Sequence, residues 1–385
     1  MNKKVSILLL AIISIITGLW IWSSLSTQNY VVLGGSTSVN TFMQSFTKDY
    51  LANEKKDFIY NSTGSQAGVG GVEKGMYGAG FISKDVGTGT LTGNNRFSSF
   101  GEDDKLVFLP GEATGFSEEM IDLKTHNNDI DIDKSYVAFE FALDAIVIIF
   151  KKPDWVTEET VNKINFDIPK NKTDESVLSK IYSNNYTWEE LAKDAGQSDV
   201  PSSLTKIVTF TREDGSGTRS AFGDLTGIKK METANVVNSN GSMFENIQKS
   251  QSAIGYISYA FIKQVTKESG VNVAGVNKTK LGNPANLGND NWEFGMELNE
   301  QTKAFEKIAG DVSNEQFIKG YDGKEYKFKR PFISIFNTHF KKYELLIEFF
   351  SAMIGISKDE NIYKENFVDE GLVQNFEIRK VVYEN

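Results

Sequence analysis

The residues best suited to chemistry lie in three short turns rich in glycine and hydroxyl side chains. These turns are Gly35-Ser36-Thr37-Ser38, Thr63-Gly64-Ser65 and Arg212-Glu213-Asp214-Gly215-Ser216-Gly217-Thr218. Each turn follows a short β-type run and precedes apolar residues at helical spacing. The first amides of a helix lack an intrahelical partner, and the peptide dipoles add about half a positive charge there. Such helix starts bind phosphate, sulfate or carboxylate.

Two features distinguish these turns from ordinary helix caps. A single Ser or Thr before a helix is most often an N-cap, so one turn alone has little meaning. Three turns occur here, and the third begins with Arg212. Its planar guanidinium offers paired donors that match a tetrahedral oxyanion. If the three helix starts converge, they enclose a dehydrated anion.

The same residues argue against an enzyme. Ser216 lies in a Gly-Ser-Gly-Thr stretch without the Gly-x-Ser-x-Gly elbow of a nucleophile. The two histidines, His126 and His339, are far apart in the sequence and have no metal-type spacing. A Walker-type Gly-x-x-x-x-Gly-Lys-Ser/Thr motif is also missing from the sequence. We therefore expect no catalytic residues, no cofactor and no bound metal.

One acidic stretch resembles a calcium-binding loop in its spacing. Asp129, Asp131 and Asp133 alternate along the chain, and Glu140 stands at the twelfth position. Lys134 occupies the place where such a loop needs Gly. The isoleucines between the aspartates favour a solvated edge strand instead.

Composition restricts the possible partners. The 385-residue chain has a net charge of −10, which argues against nucleic acid and against an anionic membrane surface. A small anion is still compatible, because local dipoles can hold it. The chain has no cysteine, so it has neither disulfides nor a thiol for lipid attachment. Its length exceeds a typical domain and predicts two lobes, which we expect to form a monomer.

The N-terminal segment predicts export. Two lysines precede an uncharged apolar run from Val5 to Trp22, which as a helix is about 27 Å long and just crosses a bilayer. The same order of charge and apolar run is typical of a secretory signal peptide. Residues 1–26 are therefore a signal anchor or a signal peptide. The lysines place the rest of the chain on the extracellular face of the plasma membrane, or in the medium if the signal is cleaved.

The remaining sequence alternates between strand and helix patterns, which predicts α/β lobes. The segment 86–140 is polar and is interpreted as an insertion on one lobe. The candidate strands are Tyr30–Leu33, Asp57–Tyr60, Phe139–Phe150, Lys206–Thr211, Ala253–Tyr259 and Pro331–Phe336, and the last candidate helix is Tyr343–Met353.

The three turns, together with Gly80-Phe81-Ile82-Ser83, resemble the phosphate-binding segments of the periplasmic phosphate-binding proteins of ABC importers. The Arg-x-Asp-Gly-Ser-Gly-Thr block is the most specific of these matches. Weaker similarities are found at Asp144–Ile148, at Ile181-Tyr182 with Trp188, and at Ala253–Tyr256. Together the similarities extend from residue 31 to about residue 340, in the order of the family.

This resemblance implies a two-lobed periplasmic-binding-protein fold of type II, also called a Venus-flytrap fold. The chain would cross between the lobes near Phe150 and near Phe328. Lobe 1 would comprise residues 27–150 and 329–385, and lobe 2 residues 151–328. The C-terminal helix would then return to the first lobe.

The resemblance also implies roles for individual residues. The ligand-binding residues would be Thr37, Ser38, Ser65 and Ser83 from lobe 1 and Arg212, Ser216, Gly217 and Thr218 from lobe 2, with Asp214 holding Arg212 in place. The implied function is extracytoplasmic binding of inorganic phosphate and its delivery to the permease subunits of an ABC importer. A surface adhesin or a phosphate-sensing receptor built on the same fold is the alternative, because a fold does not determine function.

One departure from the family concerns selectivity. Ser83 stands where some members have an Asp that accepts the proton of hydrogen phosphate. A carboxylate only accepts, whereas a hydroxyl can either accept or donate. Asp214 or Asp85 could supply the acceptor instead. The family's lipid-attachment cysteine is also missing, and the predicted anchor replaces it.

Overall fold

The computed structural model describes residues 30–87, 89–91, 105–108, 136–171, 175–282, 293–355 and 362–379, together with Ser14 and Thr17. Within these ranges, no helix combines the length and apolarity needed to cross a bilayer. Most of the apolar run 5–22 lies outside the described residues, so the signal anchor stays a prediction. The calcium-type spacing at 129–133 and most of the predicted insertion 86–140 also lie outside them.

The described strands follow the α/β alternation along the chain. They are β1 Tyr30–Gly35, β2 Asp57–Ser62, β3 Ala79–Ile82, β4 Lys105–Phe108, β5 Tyr136–Lys151, β6 Asn165–Phe166, β7 Val208–Arg212, β8 Asn235–Val237, β9 Ala253–Ser258, β10 Asn272–Val273, β11 Gly275–Val276, β12 Thr279–Lys280, β13 Met296–Leu298, β14 Phe305–Lys307, β15 Lys329–Asn337 and β16 Val373–Arg379.

The helices lie mainly between these strands. They are α1 Asn40–Glu54, α2 Ser65–Glu73, α3 Glu158–Val161, α4 Val177–Tyr182, α5 Trp188–Asp194, α6 Gly217–Thr226, α7 Asn240–Lys249, α8 Asn314–Lys319, α9 Tyr343–Ile354 and α10 Lys364–Asp369, with 3₁₀ helices at Tyr259–Gln264 and Lys267–Ser269.

One large sheet extends through the molecule in the order β2-β1-β3-β15-β5-β9-β7-β8. Strand β1 is parallel to β2 and β3, so the carboxyl ends of these strands lie at one edge. Strand β5 is 16 residues long and changes its partner midway. Residues from Tyr136 to Ala145 pair with β15, whereas residues from Ile146 to Lys151 pair with β9. The sheet therefore joins two lobes through one continuous strand.

Each lobe has its own hydrophobic core. In the first, helix α1 places Phe42 against Phe367 and Phe46 against Phe349 and Tyr363, and all five side chains are buried. The second core surrounds the carboxyl half of β5 and contains a stacked pair of Phe222 and Tyr256 with ring centroids 4.0 Å apart. The predicted α/β architecture with two lobes is confirmed. The predicted lobe limits at Phe150 and Phe328 stay a prediction.

A smaller sheet in the second lobe contains an unusual lysine. This sheet has the order β14-β13-β12-β11-β6, and Lys280 in β12 is completely buried. Its Nζ has no hydrogen-bond partner among the described residues and lies 5.3 Å from the centroid of the Phe305 ring. Burial lowers the pKa of Lys280 to about 8, because the charged form loses its hydration.

We expect Lys280→Met to stabilise the fold at pH 7. The folded pKa lies below that of the unfolded chain, so protonated Lys280 opposes folding below about pH 8, and stability is regained as the pH rises toward 10.5. The expected gain is about 1–3 kcal/mol at pH 7, shrinking above pH 10. Urea unfolding of both proteins at pH 7 and pH 10.5 measures it. Exposed Lys267→Met is the control, and a pH-independent difference for Lys280→Met contradicts the prediction.

Candidate functional site

The first hydroxyl-rich turn lies at the carboxyl edge of β1. The Ser36 amide donates to the carbonyl of Phe81 at 2.8 Å, and the Ser36 carbonyl accepts from the Tyr60 hydroxyl at 2.8 Å. The Ser36 hydroxyl donates to the Ser83 hydroxyl at 2.8 Å, and both side chains are fully buried. Hydrogen bonds to residues of β2 and β3 thus hold the first turn at the end of β1. The hydrogen bond between Ser36 and Ser83 places Ser83 beside this turn.

The second turn packs against the first. The carbonyl of Gly35 accepts hydrogen bonds from the Thr63 amide at 2.9 Å and the Gly64 amide at 2.8 Å. Gly64 has a φ of +92°, a conformation that favours glycine. Ser65 then begins α2, and its buried hydroxyl has no hydrogen-bond partner among the described residues.

The third turn belongs to the second lobe. Tyr256 in β9 fixes the end of β7, because its hydroxyl accepts from the Arg212 amide at 3.3 Å. Gly215 has a φ of +83°, which allows the chain to turn sharply into α6. Ser216 is the N-cap of α6, with its hydroxyl accepting from the Arg219 amide at 3.4 Å. In α1 and α2, by contrast, no side chain caps the helix start.

The turns of the two lobes meet directly. The Ser38 and Thr218 hydroxyls are 2.7 Å apart, and Arg212 Nη2 donates to the Thr37 hydroxyl at 3.1 Å. A Cβ on Gly217 would overlap Ser83 Oγ and would lie 2.6 Å from Ser65 Oγ. The structure therefore brings together eight predicted positions: Thr37, Ser38, Ser65, Ser83, Arg212, Ser216, Gly217 and Thr218.

Arg212 is fully buried at this interface. Its guanidinium binds both oxygens of Glu213, with Nε to Oε2 at 2.9 Å and Nη2 to Oε1 at 3.0 Å. Nη1 donates to Asn240 Oδ1 at 3.3 Å, and Nη2 donates to the Asn238 carbonyl at 3.3 Å. Glu213 and Asn240 thus orient Arg212, although sequence reasoning assigned a role to neither.

The predicted pairing of Asp214 with Arg212 was wrong. The Asp214 side chain is 95% exposed and forms an ion pair with Arg219 at 2.7 Å. The physical reason is position: Glu213 directly follows the strand end and its longer side chain reaches back to the guanidinium, whereas Asp214 points toward solvent. Asp85 is also exposed and accepts from the Val86 amide at 2.8 Å. Both carboxylates that were considered as the acceptor are therefore solvent-exposed.

A buried ion pair lies behind the site. Arg330 donates to Asp144 Oδ2 from Nε at 2.9 Å and from Nη2 at 2.7 Å. Burial raises the pKa of Asp144, although the charge of Arg330 and a hydrogen bond from Ser258 oppose this rise. Burial also lowers the pKa of Arg330, against the effect of Asp144. A charged residue within the apolar run of β5 was the sequence signal for this pair.

The arrangement is suited to holding an anion. Four hydroxyls, on Ser38, Ser65, Ser83 and Thr218, and the starts of three helices offer donors, and Arg212 supplies a cation. Within the described ranges, no cluster of three or more His, Asp and Glu side chains could hold a metal ion. The Ser216 hydroxyl caps α6 instead of facing a general base. The arrangement at this interface is suited to binding by hydrogen bonds and dipoles.

Fold and site together define a two-lobed solute-binding protein of the type II periplasmic-binding-protein architecture. The profile of the PBP superfamily domain matches residues 23–350. The chain therefore belongs to the PBP superfamily. No curated protein matches it.

Two of the solved structures that share this fold illustrate the similarity. One is a Clostridium perfringens protein assigned as a phosphate ABC transporter substrate-binding protein and solved with bound phosphate, with 19% identity, a TM-score of 0.52, and coverage of 90% of this chain and 99% of that one. The other is an ABC-type phosphate transport receptor from Vibrio cholerae, with 20% identity, a TM-score of 0.51, and coverage of 89% and 99%. At this identity the similarity shows the fold.

We expect Gly217→Ala to prevent the lobes from approaching. The added methyl group overlaps Ser83 and crowds Ser65, while alanine favours helix α6 itself by about 0.5–1 kcal/mol. The radius of gyration from small-angle X-ray scattering should increase while thermal stability is retained.

Gly241→Ala in α7 is the matched control, because its Cβ would meet only Ser239 Oγ at 3.9 Å. Scattering of Gly217→Ala that is identical to the unmodified protein and to this control contradicts the steric argument.

Proposed function

We propose that this protein captures inorganic phosphate between its lobes outside the cytoplasm and delivers it to the permease subunits of an ABC importer. One observation carries the proposal: three hydroxyl-bearing helix starts converge from both lobes around the buried Arg212. The names of the two similar structures, both of which refer to phosphate, support the same ligand.

The proposed site compensates the charge of a dianionic ligand mainly through hydrogen-bond donors. Arg212 is already paired with Glu213, so the guanidinium and carboxylate together are neutral. The hydroxyls and the helix amides then supply the additional donors that a desolvated oxyanion needs. Because these donors come from both lobes, ligand binding and lobe closure are one process. The extracellular location, the anchor within residues 1–26 and the monomeric state belong to the same proposal.

Phosphate should protect the purified full-length protein against thermal unfolding without any added metal or cofactor. A ligand present at 100 times its Kd stabilises the folded state by about 2.7 kcal/mol. Arg212→Ala should weaken binding by about 2–5 kcal/mol, because it removes the buried guanidinium and leaves the partly exposed Glu213 carboxylate without its cation. Arg212→Lys should not restore binding, since an ammonium cannot reproduce the guanidinium fork.

Calorimetric titration with phosphate measures these affinities. Lys249→Ala is the control, because the Lys249 side chain is exposed and pairs with Glu245 on its own helix α7. Unfolding that millimolar phosphate does not shift would exclude the proposed ligand. Unchanged affinity in Arg212→Ala would remove this residue from the site.

Ser83 determines the expected selectivity. Its oxygen already accepts from Ser36, which leaves the Ser83 proton available to donate to an anion. A ligand without a proton, such as sulfate, then meets no opposing carboxylate, and the penalty of about 1–3 kcal/mol for facing an unsatisfied lone pair is avoided. We therefore expect phosphate to be preferred, but sulfate to compete more than at a site with a carboxylate.

Ser83→Asp should sharpen the preference for phosphate. Competition of labelled phosphate by excess sulfate, in the unmodified protein and in Ser83→Asp, measures this change. The control is Ser334→Ala, which removes a buried hydroxyl that has no hydrogen-bond partner among the described residues. The absence of sulfate competition in the unmodified protein would show that another acceptor discriminates.

A further inference from the structure

A chain of buried polar side chains connects the two halves of the site behind the cleft. Its members, which we call the hinge network, are Asp144, Arg330, Ser258 and Asn240, and none is more than 3% exposed. All four lie outside the residues predicted to contact the ligand. Buried polar groups in such numbers require a reason, because each must be compensated by hydrogen bonds.

One end of the hinge network contacts the first lobe. Arg330 Nη1 donates to the carbonyl of Ser83 at 3.3 Å, while its other donors bind Asp144. Arg330 and Asp144 face each other in the register of β15 and β5. The position of Ser83 is thereby tied to this ion pair.

The other end contacts the second lobe. Asp144 Oδ1 accepts from the Ser258 hydroxyl at 2.7 Å. Asn240 Oδ1 accepts both from the Ser258 amide at 3.3 Å and from Arg212 Nη1 at 3.3 Å. The connection from Ser83 to Arg212 is therefore continuous.

The network crosses the chain at the point where the lobes separate. Asp144 lies in the part of β5 that pairs with β15, whereas Ser258 is opposite Ile146 in the part that pairs with β9. The hydrogen bond from Ser258 to Asp144 consequently joins side chains on either side of the partner change in β5. A rotation of one lobe against the other about this point changes the geometry of that bond.

A purely stabilising role explains these residues poorly. A buried ion pair adds little net stability compared with well-packed apolar residues, because both charges lose hydration. The Asp144–Arg330 pair, in addition, reaches beyond itself to Ser83 on one side and to Ser258 on the other. This pattern is expected of side chains that determine the position of one lobe relative to the other.

We propose that Asp144, Arg330, Ser258 and Asn240 are positioning residues for the cleft, and that the hydrogen bond from Ser258 to Asp144 favours the closed arrangement of the lobes. The expected change in phosphate affinity rests on the proposed function, whereas the expected change in the distance between the lobes does not rest on it.

The test uses the full-length chain with one spin label on each lobe. Because the sequence has no cysteine, Leu51→Cys in α1 and Glu245→Cys in α7 give two unique and exposed attachment sites. Pulsed electron–electron double resonance then measures the distance between the two labels, and thus between the lobes, in the absence of phosphate. Ser258→Ala should shift the distances toward the open form. The control is Ser334→Ala, which should leave the distances unchanged. It removes a buried hydroxyl of β15 that has no hydrogen-bond partner among the described residues.

Phosphate kinetics give the second measurement. If Ser258→Ala lowers the closed fraction, the apparent Kd rises by the same factor, about tenfold, through faster dissociation and with little change in association. Arg330→Lys, which loses the contact with the Ser83 carbonyl, should act in the same direction and provides a second variant if Ser258→Ala folds poorly.

The outcomes separate the two proposals. Identical distance distributions in Ser258→Ala, Arg330→Lys and the unmodified protein overturn the positioning role, whatever phosphate does. If the unmodified protein does not bind phosphate, the proposed function fails, and the distances alone decide on the hinge network. A lower melting temperature in Ser258→Ala with unchanged distances would show a structural role only, and this also overturns the inference.

Discussion

The strand β5 is the constraint on which the cleft depends, since its backbone hydrogen bonds belong to both lobes. Its first part pairs with β15 and its last part with β9, so neither lobe can move without twisting this one strand. A continuous strand favours a hinge-type rotation about the partner change as the relative motion of the lobes. Both halves of the site lie near this axis because β3, β7 and β9 end beside it. The alignment of the hydroxyl-bearing turns is therefore a property of the sheet.

Charge compensation within the cleft has consequences for recognition. The two buried guanidinium groups, of Arg212 and Arg330, each pair with a carboxylate, Glu213 and Asp144 respectively. A cleft of this kind presents little net charge, and an entering anion interacts with oriented hydroxyls and helix dipoles. Recognition then depends on which atoms donate and which accept. The hydrogen bond from Ser36 to Ser83 is important for this reason.

Several parts of the fold and site could be predicted from the sequence because they are local. Helical spacing after each turn located α1, α2 and α6, and β-type runs located β1, β2 and β7. The pairing of Asp214 is also local in sequence, but residue type and spacing do not decide it, because two adjacent carboxylates compete for one guanidinium. Their side-chain lengths and the direction of the chain after the strand decide the outcome. The sequence shows both carboxylates but does not show in which direction the chain continues after the strand.

The sequence by itself determined the two-lobed α/β class, the position of the hydroxyl-rich helix starts and the importance of Arg212. These features depend on periodicity and residue type within a few neighbours. Only the tertiary structure decided that Ser38 meets Thr218, that Gly217 lies against Ser83, and that Asp144 pairs with Arg330. Such contacts join residues more than a hundred positions apart. Their geometry follows from strand order and register, which no local pattern encodes.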